Sequence, residues 1–443
     1  MNKQIQKSFI NVRALCMIAV FLFFWSCESN ESEKKGIEYK EGVPVEIYDF
    51  EPEGGGLATK VFITGSNFGT DLSQIEVYFG DTPATVVNST GEYLYVYSPR
   101  QEDGIRDIRV VSHGKDAISK TDKKFKYAVN YVVRTFTGRK GTTEFKPGTL
   151  ATAEFQYPST VTADMDGNVF VAHWRVPYNL IRINEEEDVV EAIIEGSNDA
   201  YWAMGAPTVD SEGVVSAISD GGGVYFTCNP IEGWQLRVRN IDPDPLSPYA
   251  RSTAHALAAH PVTGNLYTRY YTSGDIVVVD KETRLGRLEA KSITTSDSYL
   301  VFDPKNPNLL YIAYDGAECI GVYNLETKEH SIFAGMERVG GWQDGSLTDA
   351  RFSRPSQLIV APNGNLYVAD RGNHCIREII LPTEDNPNGM VRTIIGKPGV
   401  AGYQDGNPDD ALFNEPRGVA VLPDGTIYIS EWGNNVVRKI SRE

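Results

Sequence analysis

Few of the chain's 443 residues are cysteine or histidine, five and six respectively. Cys16 and Cys27 lie near the N-terminus. Cys228, Cys319 and Cys375 are far apart, with no metal-type spacing. Three separate buried thiols are therefore expected, without a disulfide framework. His113, His173, His255, His260, His330 and His374 are scattered, and no H-E-x-x-H, G-x-S-x-G, phosphate loop or dinucleotide fingerprint occurs. The sequence thus gives no catalytic residue, metal set or cofactor to expect. Positive charge is also short, 42 Lys and Arg against 59 Asp and Glu, a net charge of −17. That balance argues against nucleic acid and against an anionic membrane surface as partner. Helical periodicity is scarce. The apolar run Ala14 to Trp25 covers 12 residues, too short to span a bilayer.

What is present is a repeat. Trp342 to Asp370, WQDGSLTDARFSRPSQLIVAPNGNLYVAD, recurs as Tyr403 to Glu431, YQDGNPDDALFNEPRGVAVLPDGTIYISE, at an offset of 61 positions. Ala350 and Ala411, Phe352 and Phe413, Pro355 and Pro416, and Gly364 and Gly425 all keep that offset. An internal repeat means that one unit builds the fold several times. Within a copy, two β-rich runs joined by Asn-Gly or Asp-Gly predict an antiparallel hairpin, and two further runs follow. A four-stranded sheet of this size cannot bury both faces alone and needs like neighbours around a ring. Weaker copies carry the turns at Gly167, Gly213, Gly264 and Asn306 to Asn308, which brings the expected number of units to six. The last copy lacks a fourth strand. Val133 to Gly138, VRTFTG, matches Val391 to Gly396, VRTIIG, so the first strand of the region is expected to complete the last sheet and close the ring.

The pattern G-x-x-DG, A-x-F-x-x-P, V-A-D and N-x-I-R resembles NHL repeats over about 130–443, strongly in the first and last two units and weakly between them. The resemblance implies a six-bladed β-propeller. Propellers of this kind serve as lyases, lactonase-like enzymes and binding modules, so the fold leaves the function open. Asp164-Met-Asp166-Gly167-Asn168 has the start of a calcium loop without its later ligands, and it sits where the other units turn; a tight turn is expected.

Upstream, Lys3, Lys7 and Arg13 precede the apolar run, which ends in Trp25-Ser26-Cys27. This resembles a bacterial lipoprotein signal with Cys27 as the lipidated residue, apart from Trp25 where a small residue is usual. The acidic residues Glu28, Glu31 and Glu33 resemble the export signals of surface lipoproteins in Bacteroides-like bacteria. The expected organisation is a signal peptide at 1–27, a flexible tether at 28–42, a small all-β domain at 43–128 and the propeller at 129–443. In the small domain, Thr64-Gly65-Ser66-Asn67-Phe68-Gly69, Val77-Tyr78-Phe79-Gly80, Pro99 and Phe125-Lys126-Tyr127 resemble the IPT/TIG immunoglobulin-like domain. Asn67 and Phe68 are expected to be turn and core residues. The fold class is thus all-β, an immunoglobulin-like sandwich followed by a six-bladed propeller.

In a propeller the first strand begins, and the second ends, at one mouth of the channel, where binding sites concentrate. The register places His173, Ser219, Tyr270, Tyr314, Asp370 and Glu431 at the end of the second strand. Trp174, Asp220, Tyr271, Asp315, Arg371 and Trp432 come next. Ser159, His255, Ser298, Ser356 and Arg417 open the first strand. The candidate ligand-binding set is His173, Trp174, Tyr270, Tyr271, Tyr314, Asp370, Arg417, Glu431 and Trp432. Asp370 also fits a loop cap, and the two Trp also fit packing between blades. Trp faces with polar neighbours suit sugar rings, so the expected function is non-catalytic capture of a glycan, or another extracellular ligand, by an outer-membrane lipoprotein exposed at the cell surface. A metal-dependent lyase or lactonase-like hydrolase is the first alternative. It needs several His or carboxylates to converge, and only His173 and His255 fall at suitable positions. A scaffold for envelope protein partners is the second.

Overall fold

The computed structural model describes residues 36–56, 58–99, 101, 103–128, 131–174, 178–195, 203–383 and 387–442. Cys27 lies outside them. The chain separates into two units, Met1–Val129 and Asn130–Glu443.

The first unit is a β-sandwich. One sheet orders Ile118–Ser119, Glu46–Glu51, Lys60–Ser66, Tyr93–Tyr97 and Thr85–Ser89. A second orders Lys115–Asp116, Ile108–Ser112, Ile75–Phe79 and Thr82–Pro83, and a small third sheet pairs Phe125–Tyr127 with Gly54–Gly55 and Gly104–Arg106. Alternation along the strands buries Val61, Ile63, Val77, Phe79, Leu94, Val96 and Val110 in a shared core. The segment Gly65 to Gly69 is shaped by its side chains. A Cβ at Gly65 would lie 2.1 Å from the Glu46 carbonyl and 2.2 Å from the Phe68 ring, so only glycine lets that ring enter. Asn67 takes a left-handed backbone with φ 59°. Its amide donates to the Lys40 and Val43 carbonyls at 3.1 and 2.8 Å and accepts from Lys40 N at 2.7 Å. Asn67 and Phe68 are turn and core residues.

The second unit is a propeller, six blades among the described residues. Blade I comprises Pro158–Ala163, Asn168–His173, Tyr178–Asn184 and Val189–Glu195. Blade II comprises Thr208–Val209, Val215–Ile218, Val224–Asn229 and Gln235–Asn240. Blade III comprises Ala258–Ala259, Leu266–Arg269, Asp275–Val279 and Leu285–Lys291, with Asp242–Pro243 added at its outer edge. Blade IV comprises Ser298–Phe302, Leu309–Tyr314, Cys319–Asn324 and His330–Gly335, and blade V Pro355–Val360, Leu366–Asp370, Cys375–Ile380 and Met390–Ile395. Blade VI comprises Pro416–Val421, Ile427–Glu431 and Val436–Arg442, with Tyr131–Gly138 as its outermost strand. The closing strand runs antiparallel from the Tyr131–Arg442 pair to the Gly138–Val436 pair. The innermost strands touch in a closed cycle. The hairpin glycines Gly167, Gly213, Gly264, Gly364 and Gly425 all have φ between 71° and 87°, the region the turn requires.

The repeated residues converge on one buried arginine per copy. In blade V, Arg377 donates to Asp370 at 2.9 Å, to Asp344 at 2.6 Å and to the carbonyls of Gln343 and Arg351. Its guanidinium lies 5.1 Å over the Phe352 ring. In blade VI, Arg438 makes the matching bonds to Glu431, Asp405 and Gln404, over Phe413. The Asp-Gly step, the Phe, the strand-ending acid and the third-strand Arg are thus one ion-paired unit that ties the preceding loop to the blade.

A second recurring device joins neighbouring blades. Tyr157, Arg354 and Glu415, each just before the Pro that opens a first strand, have φ of 55°, 52° and 49°. Each backbone N–H donates to a side chain of the blade before it. Arg354 N reaches Glu318 at 2.5 Å, Glu415 N reaches His374 Nδ1 at 3.1 Å, and Tyr157 N reaches Asn435 at 2.9 Å. Those acceptor residues are themselves left-handed, with φ of 59°, 57° and 58°. The Asn435 latch sits across the ring closure and also donates to Thr142 O at 2.8 Å.

Asp164 accepts from the backbone of Asp166 at 3.0 Å and of Asn168 at 2.8 Å, and Asp210 does the same for Glu212 and Val214. The acidic segment is a turn. Cys228, Cys319 and Cys375 are buried free thiols, and burial pushes Cys228 and Cys319 up to about 12.

Candidate functional site

At the mouth where first strands begin, blades VI and I place Arg417, Trp432, Trp174 and Tyr157 together. The Arg417 guanidinium lies 3.7 Å over the Trp432 ring and 5.9 Å from that of Trp174. Tyr157 packs obliquely on Trp432 at 4.8 Å. Trp174 and Trp432 meet at 6.1 Å with an interplanar angle of 68°. They form a corner.

The cluster continues across the channel. Trp174 contacts His255 of blade III, ring to ring at 5.6 Å. His255 Nε2 is 2.9 Å from Asp220, at an angle poor for a hydrogen bond, and Nδ1 is 3.4 Å from Asp297. The two ring nitrogens point to opposite sides, so this is a chain of contacts and not a shared coordination point. Beside it, Arg371 holds Asp315 through two bonds of 2.7 and 3.1 Å, and Arg354 reaches the same carboxylate at 3.3 Å. A cavity of about 290 Å³ lies here, lined by Tyr271, Asp297, Asp315, Glu318 and Arg354. Among the described residues, no group of three or more His, Cys, Asp or Glu could hold a metal ion.

Deeper in the channel, Gln357 of blade V bonds both backbone groups of Val161 of blade I, accepting at 2.9 Å and donating at 2.7 Å. The bridge passes over Gly418 of blade VI, where a Cβ would lie 2.7 Å from the Gln357 oxygen. Beyond it the channel widens toward the other face into a cavity of about 630 Å³, lined by residues including Thr162, Ala206, Leu257, Tyr299 and Gln357.

Five expected site residues are turned into the blades. His173 is 2% exposed, its ring against Phe145 at 5.4 Å and Phe155 at 5.6 Å. Burial pushes its imidazole down to about 3, so it is neutral. Tyr270 is buried, stacks on Tyr249 and donates to Gly222 O at 2.5 Å. Tyr314 is buried, with its hydroxyl 2.9 Å from His330 Nε2 and its ring filling the space beside Gly321. Asp370 and Glu431 are the buried partners of Arg377 and Arg438, and they cap Ser353 N and Asn414 N at 2.8 Å. These placements correct the expectation, and the reason is the period of a strand. Successive side chains alternate faces, so the last residue of the second strand packs inward and the next one faces the opening. The structure brings Trp174, Arg417 and Trp432 together and leaves Tyr271 at the rim, 41% exposed. The sequence reading missed Tyr157, Arg354 and Glu415. Their signal was position, immediately before the repeated Pro.

Comparison with known proteins now adds to this geometry. The IPT/TIG domain model matches residues 44–127, and the NHL repeat model matches 352–379 and 413–440. The chain carries an IPT/TIG domain followed by NHL repeats. It is 27% identical over 137 residues to SUPPRESSOR OF QUENCHING 1 of Arabidopsis thaliana, which is 29% of this chain and 12% of that protein. It is 34% identical over 99 residues to NHL repeat-containing protein 2 of Gallus gallus, 22% of this chain and 12% of that protein. The match thus spans only about an eighth of those relatives. Similar solved structures include an auxiliary nutrient binding protein of Bacteroides ovatus, at 25% identity and TM-score 0.66, covering 92% of this chain and all of that one. A protein of unknown function from Bacteroides thetaiotaomicron gives the same identity, coverage and TM-score.

Proposed function

We propose that this chain is a non-catalytic binding protein that captures a glycan at the propeller mouth. The observation that carries the reading is the group of Trp174, Trp432, Tyr157 and Arg417 at an opening ringed by hydrogen-bonding side chains. Aromatic faces bury the C–H face of a sugar, and about 100 Å² of apolar contact contributes about 2–3 kcal/mol. Asp220, His255 and Asp297 supply acceptors and donors for hydroxyls on the far side. The likeness to a nutrient binding protein over nearly the whole chain supports the same class. The reading extends to location: a cell-envelope lipoprotein anchored through Cys27 and displayed at the outer surface.

Calorimetry against a polysaccharide panel tests the ligand. Saturable binding by the native chain, lost in Trp174→Ala/Trp432→Ala, is expected; a blank across the panel, or full binding by the double variant, defeats the reading. Palmitate labelling abolished by Cys27→Ser tests the anchor, and protease shaving of intact cells tests display.

A further inference from the structure

Among the charged side chains of the mouth, Arg417 stands apart. Arg371 and Arg354 share the carboxylate of Asp315, and His255 lies between Asp220 and Asp297. Arg377 and Arg438 each pair with two carboxylates inside their blades. Arg417 is half-buried with no carboxylate within ion-pair distance among the described residues, and its Nε makes no hydrogen bond. It is held by packing alone, stacked on Trp432 with Trp174 beside it. A guanidinium lying over an indole face has its N–H donors in its own plane; with Nε of Arg417 buried, the terminal Nη groups are the ones left to meet a planar, two-oxygen acceptor. Removing such a cation from water without a partner is costly, and burial with the nearby Arg371 charge pushes Arg417 down to about 10. A chain with a net charge of −17 has abundant carboxylates, yet the nearest to Arg417, Glu415 and Asp315, act on it only through space and form no ion pair with it.

We infer that the mouth recognises an anionic saccharide, a sugar bearing a carboxylate, whose charged group pairs with Arg417 while its ring lies against Trp174. This rests on the glycan reading above. The opposite side of the mouth carries Asp220 and Asp297, which accept hydroxyl hydrogens and repel a second anion. The ligand's orientation is therefore fixed, acid toward blades VI and I and hydroxyls toward blades II to IV. Trp432 acts as a positioning residue for the guanidinium.

The test compares charged and neutral polymers by calorimetry on the full chain: polygalacturonate against its own methyl ester, and alginate against β-mannan. Binding is expected for a uronate polymer and not for its neutral partner. It should weaken several-fold between 50 and 500 mM NaCl. Arg417→Met should lower affinity roughly 10- to 100-fold, with Arg417→Lys between the two, because an ammonium keeps the charge and loses the fork. Native melting of each variant is checked by Trp fluorescence. If Arg417→Met does not fold, the uronate-to-neutral ratio and the salt dependence of the native chain decide alone. Salt-insensitive binding to a neutral polymer, or unchanged uronate affinity in Arg417→Met, overturns the inference and leaves the glycan reading standing. No binding to any polysaccharide removes both.

Discussion

Replacing His173 by Leu should remove a defined part of the propeller's sensitivity to acid. His173 occupies the register position that holds Asp370 and Glu431 in blades V and VI, and the strand pairing puts Ile181 where those blades place Arg377 and Arg438. Blade I thus exchanges a buried ion pair for a neutral ring between Phe145 and Phe155. Burial holds the folded imidazole at about 3, below its unfolded value near 6.5. The unfolded chain therefore binds the extra proton first, and stability falls as pH drops below 6.5. Between pH 7.5 and pH 5 this one group costs the folded state about 2 kcal/mol, a figure that depends on the unfolded value and not on how far below 5 the folded one lies. Urea unfolding followed by Trp fluorescence isolates the effect, because residues 36–128 contain no Trp while Trp174, Trp202, Trp234, Trp342 and Trp432 lie in the second unit. At pH 7.5 the variant should match or slightly exceed the native chain, since Nε2 of His173 is buried without a partner. At pH 5 the variant should be about 2 kcal/mol more stable relative to native than at pH 7.5. Parallel pH profiles for the two proteins would refute the reasoning.

Other substitutions probe the devices that build the ring. Arg438→Met strands Glu431 in the blade interior and should cost about 3–5 kcal/mol by the same urea assay, more than the paired change with Glu431→Gln. Asn435→Ala removes bonds to Tyr157 and Thr142 across the closure and should cost about 1–3 kcal/mol, with faster amide exchange in 131–138. Gly418→Ala drives a methyl into Ser430, Gln357 and Val161 and should lower the stability of the propeller by about 1–3 kcal/mol. Gly65→Ala should destabilise the first unit by a similar amount through the Phe68 ring, read from near-ultraviolet Tyr signals, and leave the Trp transition unmoved.

The architecture was legible because one repeat offset carried it. The match of Val133–Gly138 to Val391–Gly396 foretold the closing strand, since both are outermost strands with the same burial demands. The GSNFG segment was legible for a steric reason, the ring that only a glycine admits. The mouth was legible one residue too early. His173, Tyr270, Tyr314, Asp370 and Glu431 carry suggestive chemistry, but that chemistry is spent on Phe packing, on Gly222, on His330 and on Arg377 and Arg438. Trp174 and Trp432, the next residues along, face the opening. What the sequence could not reveal was pairing between blades. Arg371 and Arg417 share the mouth, yet only the fold shows that Asp315 neutralises one and not the other.

The strand that completes blade VI is also the first strand after the immunoglobulin-like unit, separated from it by Val129 and Asn130. Any pull delivered through that unit arrives at Tyr131, the outermost rung of a ladder whose loss opens the disc between blades VI and I. Trp432, Arg417 and Trp174 meet at that same seam. Tension on the chain would therefore peel this ladder before it tore a core, and the seam between blades VI and I would lose the strand that fastens it.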